Sequence, residues 1–126
     1  MGRVIHFEIH ADDPERALGF YSTVFGWTAQ HVPGMDYWLI DAGAGEGIGG
    51  GLLRRHGPPP AEGQPVNSFV CTIGVENVDA AVRAALAAGG ALALPKMAIP
   101  GVGWQAYVKD TEGNIIGLHC ADSSAA

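Results

Sequence analysis

The sequence predicts an α+β domain built from two tandem βαβββ modules whose sheets curl around a shared cleft. Three observations carry this: an internal repeat, one capped helix in each half, and a proline-rich break between the halves. In the repeat, His6-Phe7-Glu8-Ile9-His10 lies over Val70-Cys71-Thr72-Ile73-Gly74, Asp13 over Asn77, Ala17 over Ala81 and Gly26 over Gly90, a displacement of 64 residues. Later the displacement becomes 66, and Gly47 to Leu52 lies over Gly113 to Leu118. Matching element order through both halves is the mark of a duplicated structural unit. Between the copies, Arg55 to Pro65 holds four prolines and two glycines, a stretch that cannot join a sheet ladder. The boundaries follow: module one near 1–56, a linker at 57–66 and module two near 67–122 of a single domain over 1–126.

Each element has its own signal. Ile5, Phe7 and Ile9 alternate with His6, Glu8 and His10, the period of a strand with two unlike faces. Asp13 followed by Pro14 starts a helix, a capping carboxylate and then proline at the first helical position. Ala17, Phe20, Tyr21 and Val24 fall on one helical face, and Gly26 ends the helix. In the second copy Asn77 is the expected cap and Gly89-Gly90 the stop. Between them the alanines at 80, 81, 84, 85, 87 and 88 favour helix strongly. Three shorter strands follow each helix, near 28–32, 37–41 and 48–54, then near 91–94, 105–109 and 115–120. A turn at Asp110 to Asn114 separates the last pair. A ferredoxin-like βαββαβ arrangement is the alternative fold, but it leaves two strands unplaced.

Composition narrows the function classes. At 126 residues and 48% hydrophobic content, the chain is long and apolar enough for one real core. No apolar run approaches the roughly 18 residues of a membrane span. The first residues enter a strand pattern without the features of a signal peptide, so the reading is a cytoplasmic protein. A formal net charge of −6 disfavours nucleic acid and anionic membrane as partners and is compatible with a cationic or neutral ligand. Cys71 and Cys120 are too few for a disulfide framework and lack zinc spacing. The Gly49-Gly50-Gly51 run lacks the lysine and helix of a phosphate loop.

Strand alternation divides the residues between two faces. One face carries Ile5, Phe7, Ile9, Cys71, Ile73, Ile116, Leu118 and Cys120, an apolar set suited to packing under helices. The other carries His6, Glu8, His10, Thr72 and His119, with Gly51 and Gly117 making room. These polar residues are the candidate ligand-binding set, and His6 and His119 are the candidates for acid–base work. Trp104 joins the set because it follows the Gly101-Val102-Gly103 loop, a place for a cover over a cleft. Trp27, Trp38, Tyr37 and Tyr107 are further candidates for lining a pocket, against the plainer reading of core packing. Cys71, placed on the helix side, is not expected to act as a nucleophile.

Three stretches carry a family resemblance. They are His6-Phe7-Glu8-Ile9, the helix end Ala17-Leu18-Gly19-Phe20-Tyr21-Ser22-Thr23-Val24-Phe25-Gly26-Trp27, and Val108-Lys109-Asp110-Thr111-Glu112-Gly113-Asn114-Ile115-Ile116-Gly117-Leu118. With the duplicated module, the chain resembles the vicinal oxygen chelate superfamily, which includes glyoxalase I, extradiol dioxygenases, fosfomycin-resistance enzymes and bleomycin-resistance proteins. The stretch from Pro95 to Trp104 resembles a glyoxalase-related subgroup of unassigned activity. The resemblance implies a homodimer. It also implies one divalent metal, held by His or Glu on the first and last strands of each module, as a Lewis acid toward two neighbouring substrate oxygens.

Carried over position by position, that ligand set is incomplete. The first-strand positions are His6 and Val70, and the last-strand positions are Gly51 (Gly50 if the register slips by one) and Gly117. Only His6 can coordinate, and a stable site normally needs several protein ligands. No cofactor is therefore expected. A displaced metal site from His6, Glu8 or His10, and His119 is the alternative, although residues two apart on a strand lie about 6.5 Å apart along the chain. The expected function is a small-molecule-binding protein of the glyoxalase/bleomycin-resistance type, with a ligand that is cationic or amphipathic. The rival readings are a lyase or isomerase related to lactoylglutathione lyase, with unusual metal ligation or metal-free acid–base catalysis, and an interaction module with no ligand.

Overall fold

A computed structural model describes residues 2–65 and 69–126. Among them the chain forms β1 (Arg3–Ala11), α1 (Pro14–Phe25), β2 (Thr28–His31), β3 (Tyr37–Asp41), β4 (Gly50–Arg54), β5 (Val70–Gly74), α2 (Val78–Ala87), β6 (Ala91–Ile99), β7 (Gly103–Lys109) and β8 (Ile115–Ala121). This is βαβββ twice, as the repeat predicts. The described residues fall into two compact units, one within 6–69 and the other within 1–5 and 70–126. The first residues of β1 thus cluster with the second half of the chain. The proline-rich stretch from Arg55 to Pro65 forms no strand, and residue 66 of the expected linker lies outside the described residues.

In the unit within 6–69 the strand order is β2-β3-β4-β1. β1 and β4 run parallel with Ile9 opposite Leu52, and β3 pairs antiparallel with β4, Trp38 opposite Leu52. Phe7, Ile9, Ala11, Ile40 and Leu52 make the buried core, with Ala17, Leu18, Tyr21, Trp27 and Trp38 packed against it. α1 begins as its sequence dictates: the Asp13 carboxylate accepts from the Arg16 amide and Pro14 opens the helix. Gly26 ends it at φ 73°, a left-handed conformation that other residues adopt at a cost.

Two expectations for this half need correction. The buried stripe of α1 is Pro14, Ala17, Leu18 and Tyr21, at helical spacing, whereas Phe20 and Val24 are more than half exposed. Pro14 is the buried residue of the helix, in its first turn. β4 begins at Gly50 rather than near residue 48, because Gly43, Gly45 and Gly47 all have positive φ and keep the preceding chain out of the ladder.

In the other unit the order is β5-β8-β7-β6, with β5 parallel to β8 and the rest antiparallel. Asn77 caps α2 by accepting from the Ala80 amide, and Gly90 donates to the Ala85 carbonyl beyond the helix end. α2 packs over β6, β7 and β8. Val78, Ala106, Val108 and Leu118 are buried. The expected burial of the whole apolar face is incomplete: Cys71 is exposed, and Ile5 is 45% exposed. β6 continues past residue 94 to Ile99 despite Pro95. It is the last strand of its sheet, so a missing amide is tolerated there, and its register shifts twice along β7.

Candidate functional site

The register of each sheet brings the candidate residues to its helix-free face in two clusters. In the first, β1 presents His6, Glu8 and His10, and β4 opposes Glu8 with Gly51. Glu8 is 6% exposed, while His6 and His10 are half-buried. Tyr37 fills the space over Gly51: a Cβ added there would lie on the tyrosine hydroxyl and ring. The same hydroxyl is 2.7 Å from His6 Nε2. The position where the family would carry a last-strand ligand is thus occupied by a phenol already paired with the first-strand histidine.

The second cluster repeats the device with different chemistry. β5 places Thr72 beside Gly117 of β8, and β7 places Gln105 opposite His119 and Tyr107 opposite Gly117. A Cβ at Gly117 would come within 2.5 Å of Thr72 Oγ1 and 2.9 Å of Gln105 Nε2. Gln105 Oε1 lies 2.9 Å from His119 Nδ1. Thr72 is 2% exposed, and its hydroxyl has no hydrogen-bond partner among the described residues. His119 also borders an open groove of about 710 Å³ in this unit, which is lined by Gly74, Glu76, Asn77, Ala80 and Ala81 at the start of α2 rather than by Thr72 or Gln105.

Trp104 does not join this face. It lies opposite Cys120, on the side of β7 away from Gln105. Its indole donates to Asp122 at 3.0 Å, and the Lys96 ammonium sits 4.6 Å from its ring centroid while also pairing with Asp79 at 2.9 Å. Trp27 and Trp38 pack against the core of the first unit. Among the described residues, no three His, Cys, Asp or Glu side chains group as a metal site.

His10 and His119 titrate below the usual value near 6.5. For His119 the cause is burial. For His10 burial dominates; Glu8 opposes it, and Arg55 and His56 add to it. Folding therefore favours the neutral imidazoles. In the unfolded chain each takes a proton as pH falls through 6.5, while the folded chain resists until its own lower value. Stability should be full above that window and decline as pH drops through it. Urea unfolding from about pH 8 to about pH 5 measures this, and His119→Gln should flatten the decline. An unchanged slope in that variant would refute the contribution of His119.

The comparisons with known proteins agree with this architecture. Residues 3–43 match the family model for the N-terminal region of bleomycin resistance protein-like proteins. The chain is 33% identical over 120 residues to CFP32, named provisionally as a glyoxylase, from Mycobacterium tuberculosis and Mycobacterium bovis. That match covers 93% of this chain but 43% of each relative, so the chain spans less than half the length of these proteins. Among solved structures, methylmalonyl-CoA epimerase from Mycobacterium tuberculosis is similar with a TM-score of 0.64 at 18% identity, over 94% of this chain and 87% of that one. A glyoxalase/bleomycin resistance protein/dioxygenase superfamily member from Vibrio splendidus gives 0.61 at 17% identity, over 95% and 99%. The duplicated βαβββ module and these matches converge on one architecture: the chain has the glyoxalase/bleomycin-resistance fold.

Proposed function

We propose that this chain is a small-molecule-binding domain that lacks the superfamily's usual complete metal centre. The observation that carries the reading is the filling of both last-strand ligand positions. Gly51 lies under the Tyr37 hydroxyl, and Gly117 lies under Thr72 and Gln105. A coordinating side chain at either place would have to displace a residue now packed there, and Val70 offers no ligand atom. The residues present therefore do not fit the usual metal.

They do suit a ligand held by hydrogen bonds. In the unit within 6–69 the His6 and His10 imidazoles, the Tyr37 phenol and the Glu8 carboxyl group offer donors and acceptors, and in the other unit the His119 imidazole and the Gln105 amide do so. The unpartnered Thr72 hydroxyl carries a desolvation cost of about 1–3 kcal/mol that a ligand atom reaching it would relieve. The groove lined by His119 is of a size that takes small molecules. The net charge of −6 favours a cationic or amphipathic ligand.

Two measurements test this. Elemental analysis of purified protein and calorimetric titration with Ni, Zn, Mn and Fe should give no stoichiometric binding. Tight one-to-one binding abolished by His6→Ala would overturn the metal-free part. A thermal-shift screen with amphipathic cations should raise the melting temperature, and no stabilisation by any ligand class would favour an interaction module instead. His119 supports a second reading, metal-free acid–base catalysis, because burial keeps its imidazole neutral and so able to accept a proton from a bound group. Loss of turnover on a small dicarbonyl adduct in His119→Gln, with ligand stabilisation retained, would select it.

A further inference from the structure

We propose that Gln105 is a positioning residue that fixes the tautomer of His119, leaving His119 Nε2 as an acceptor for a hydrogen-bond-donating ligand group such as an amine, amide or hydroxyl. The ligand half of this rests on the binding reading above; the tautomer half does not.

The geometry builds the arrangement from the register outward. β7 and β8 place Gln105 directly opposite His119, so the two side chains share a face. The amide oxygen is 2.9 Å from Nδ1 and can only accept, so Nδ1 carries the hydrogen. A neutral imidazole has one N–H, so the lone pair lies on Nε2. Nε2 has no hydrogen-bond partner among the described residues. Histidine free in water prefers the opposite tautomer, so the amide must hold this one.

Two glycines make the pairing possible. Gly117 leaves the space in which the Gln105 amide turns: a Cβ there would lie 2.9 Å from its nitrogen. Gly103 adjoins the outer edge of the imidazole: a Cβ there would collide with the Cys120 carbonyl oxygen and come within 2.9 Å of both Cε1 and Nε2. Gln105 is itself 6% exposed, which holds its amide in place. A carboxylate partner would orient the ring equally well but would favour the imidazolium, which cannot accept. The neutral amide orients the ring without doing so. Burial, which lowers the pKa of His119, acts in the same direction.

The test is long-range proton–nitrogen correlation on protein labelled at histidine nitrogens, with His119 assigned by its absence in His119→Gln. The wild type above its titration should show His119 protonated at Nδ1. Gln105→Leu should shift the signal toward the Nε2–H form. It should also slow acylation of His119 by diethyl pyrocarbonate several-fold, because that reagent needs an accessible lone pair. Gln105→Glu keeps the accepting oxygen, so it should retain the Nδ1–H form and raise the His119 pKa. It serves as the readout if the leucine variant does not fold. An Nε2–H tautomer in the wild type, an unchanged tautomer in Gln105→Leu, or an unchanged pKa in Gln105→Glu would each overturn the proposal. These outcomes are independent of the thermal-shift screen, so failure of the ligand reading and failure of the tautomer lock are told apart.

Discussion

Leu52→Ala should destabilise the protein by about 2–5 kcal/mol, the range for emptying a fully buried leucine site. Leu52 is 0% exposed, and its strand lies between β1 and β3, so it is flanked by Ile9 on one side and Trp38 on the other. Its neighbours in the core are carried by strands whose backbones are tied by ladder hydrogen bonds. They cannot collapse far into the space, so the cost should fall toward the upper part of the range. Urea unfolding followed by tryptophan fluorescence measures the midpoint and the slope. The midpoint should fall with the slope unchanged, the signature of lost stability rather than an altered unfolded state. Leu39→Ala is the control: that side chain is 49% exposed on the neighbouring strand, and its loss should cost no more than about 0.5 kcal/mol. Equal effects at the two sites would mean that the core lies elsewhere.

Burial at Leu52 also illustrates what the sequence could convey. Period-2 alternation assigned Phe7 and Ile9 to the helix side, and the capping residues Asp13 and Asn77 located both helices, because these signals are local. Phe20 and Val24 stand outside the buried stripe because an apolar helix with several aromatics can be drawn two ways, and only packing of Ala17, Leu18 and Tyr21 against the core selects one. β5 was expected to be covered because Cys71 and Ile73 are apolar. How far the covering over a sheet extends is a tertiary property with no local sign, and Cys71 is exposed. The candidate site divides the same way. His6, Glu8, Thr72 and His119 could be read from their own strands. Gln105 could not, since its role depends on standing opposite His119, a matter of register. The usable clue was the glycine at 117. A strand glycine often marks a close approach by a neighbour, and the neighbouring strand supplies Gln105 and Tyr107.

Gly51 gives that clue its sharpest test. Gly51→Ala should cost about 1–3 kcal/mol by overpacking, at the upper end because the new methyl would collide with the Tyr37 ring and hydroxyl. Moving Tyr37 aside also breaks its 2.7 Å contact with His6, so one methyl removes two interactions. If the glycine exists to seat the tyrosine, the penalty must depend on that ring. In a Tyr37→Ala background the same Gly51→Ala change should cost much less, with a coupling of about 1–3 kcal/mol in a double-mutant cycle. Additive effects would mean that Gly51 is required for its backbone alone. The cycle bears on function as well as packing. A longer side chain at residue 51 would occupy the space in which the Tyr37 ring now lies. The glycine and the placement of Tyr37 against His6 would then be one device, in which the open Cβ position seats the ring that reaches the histidine.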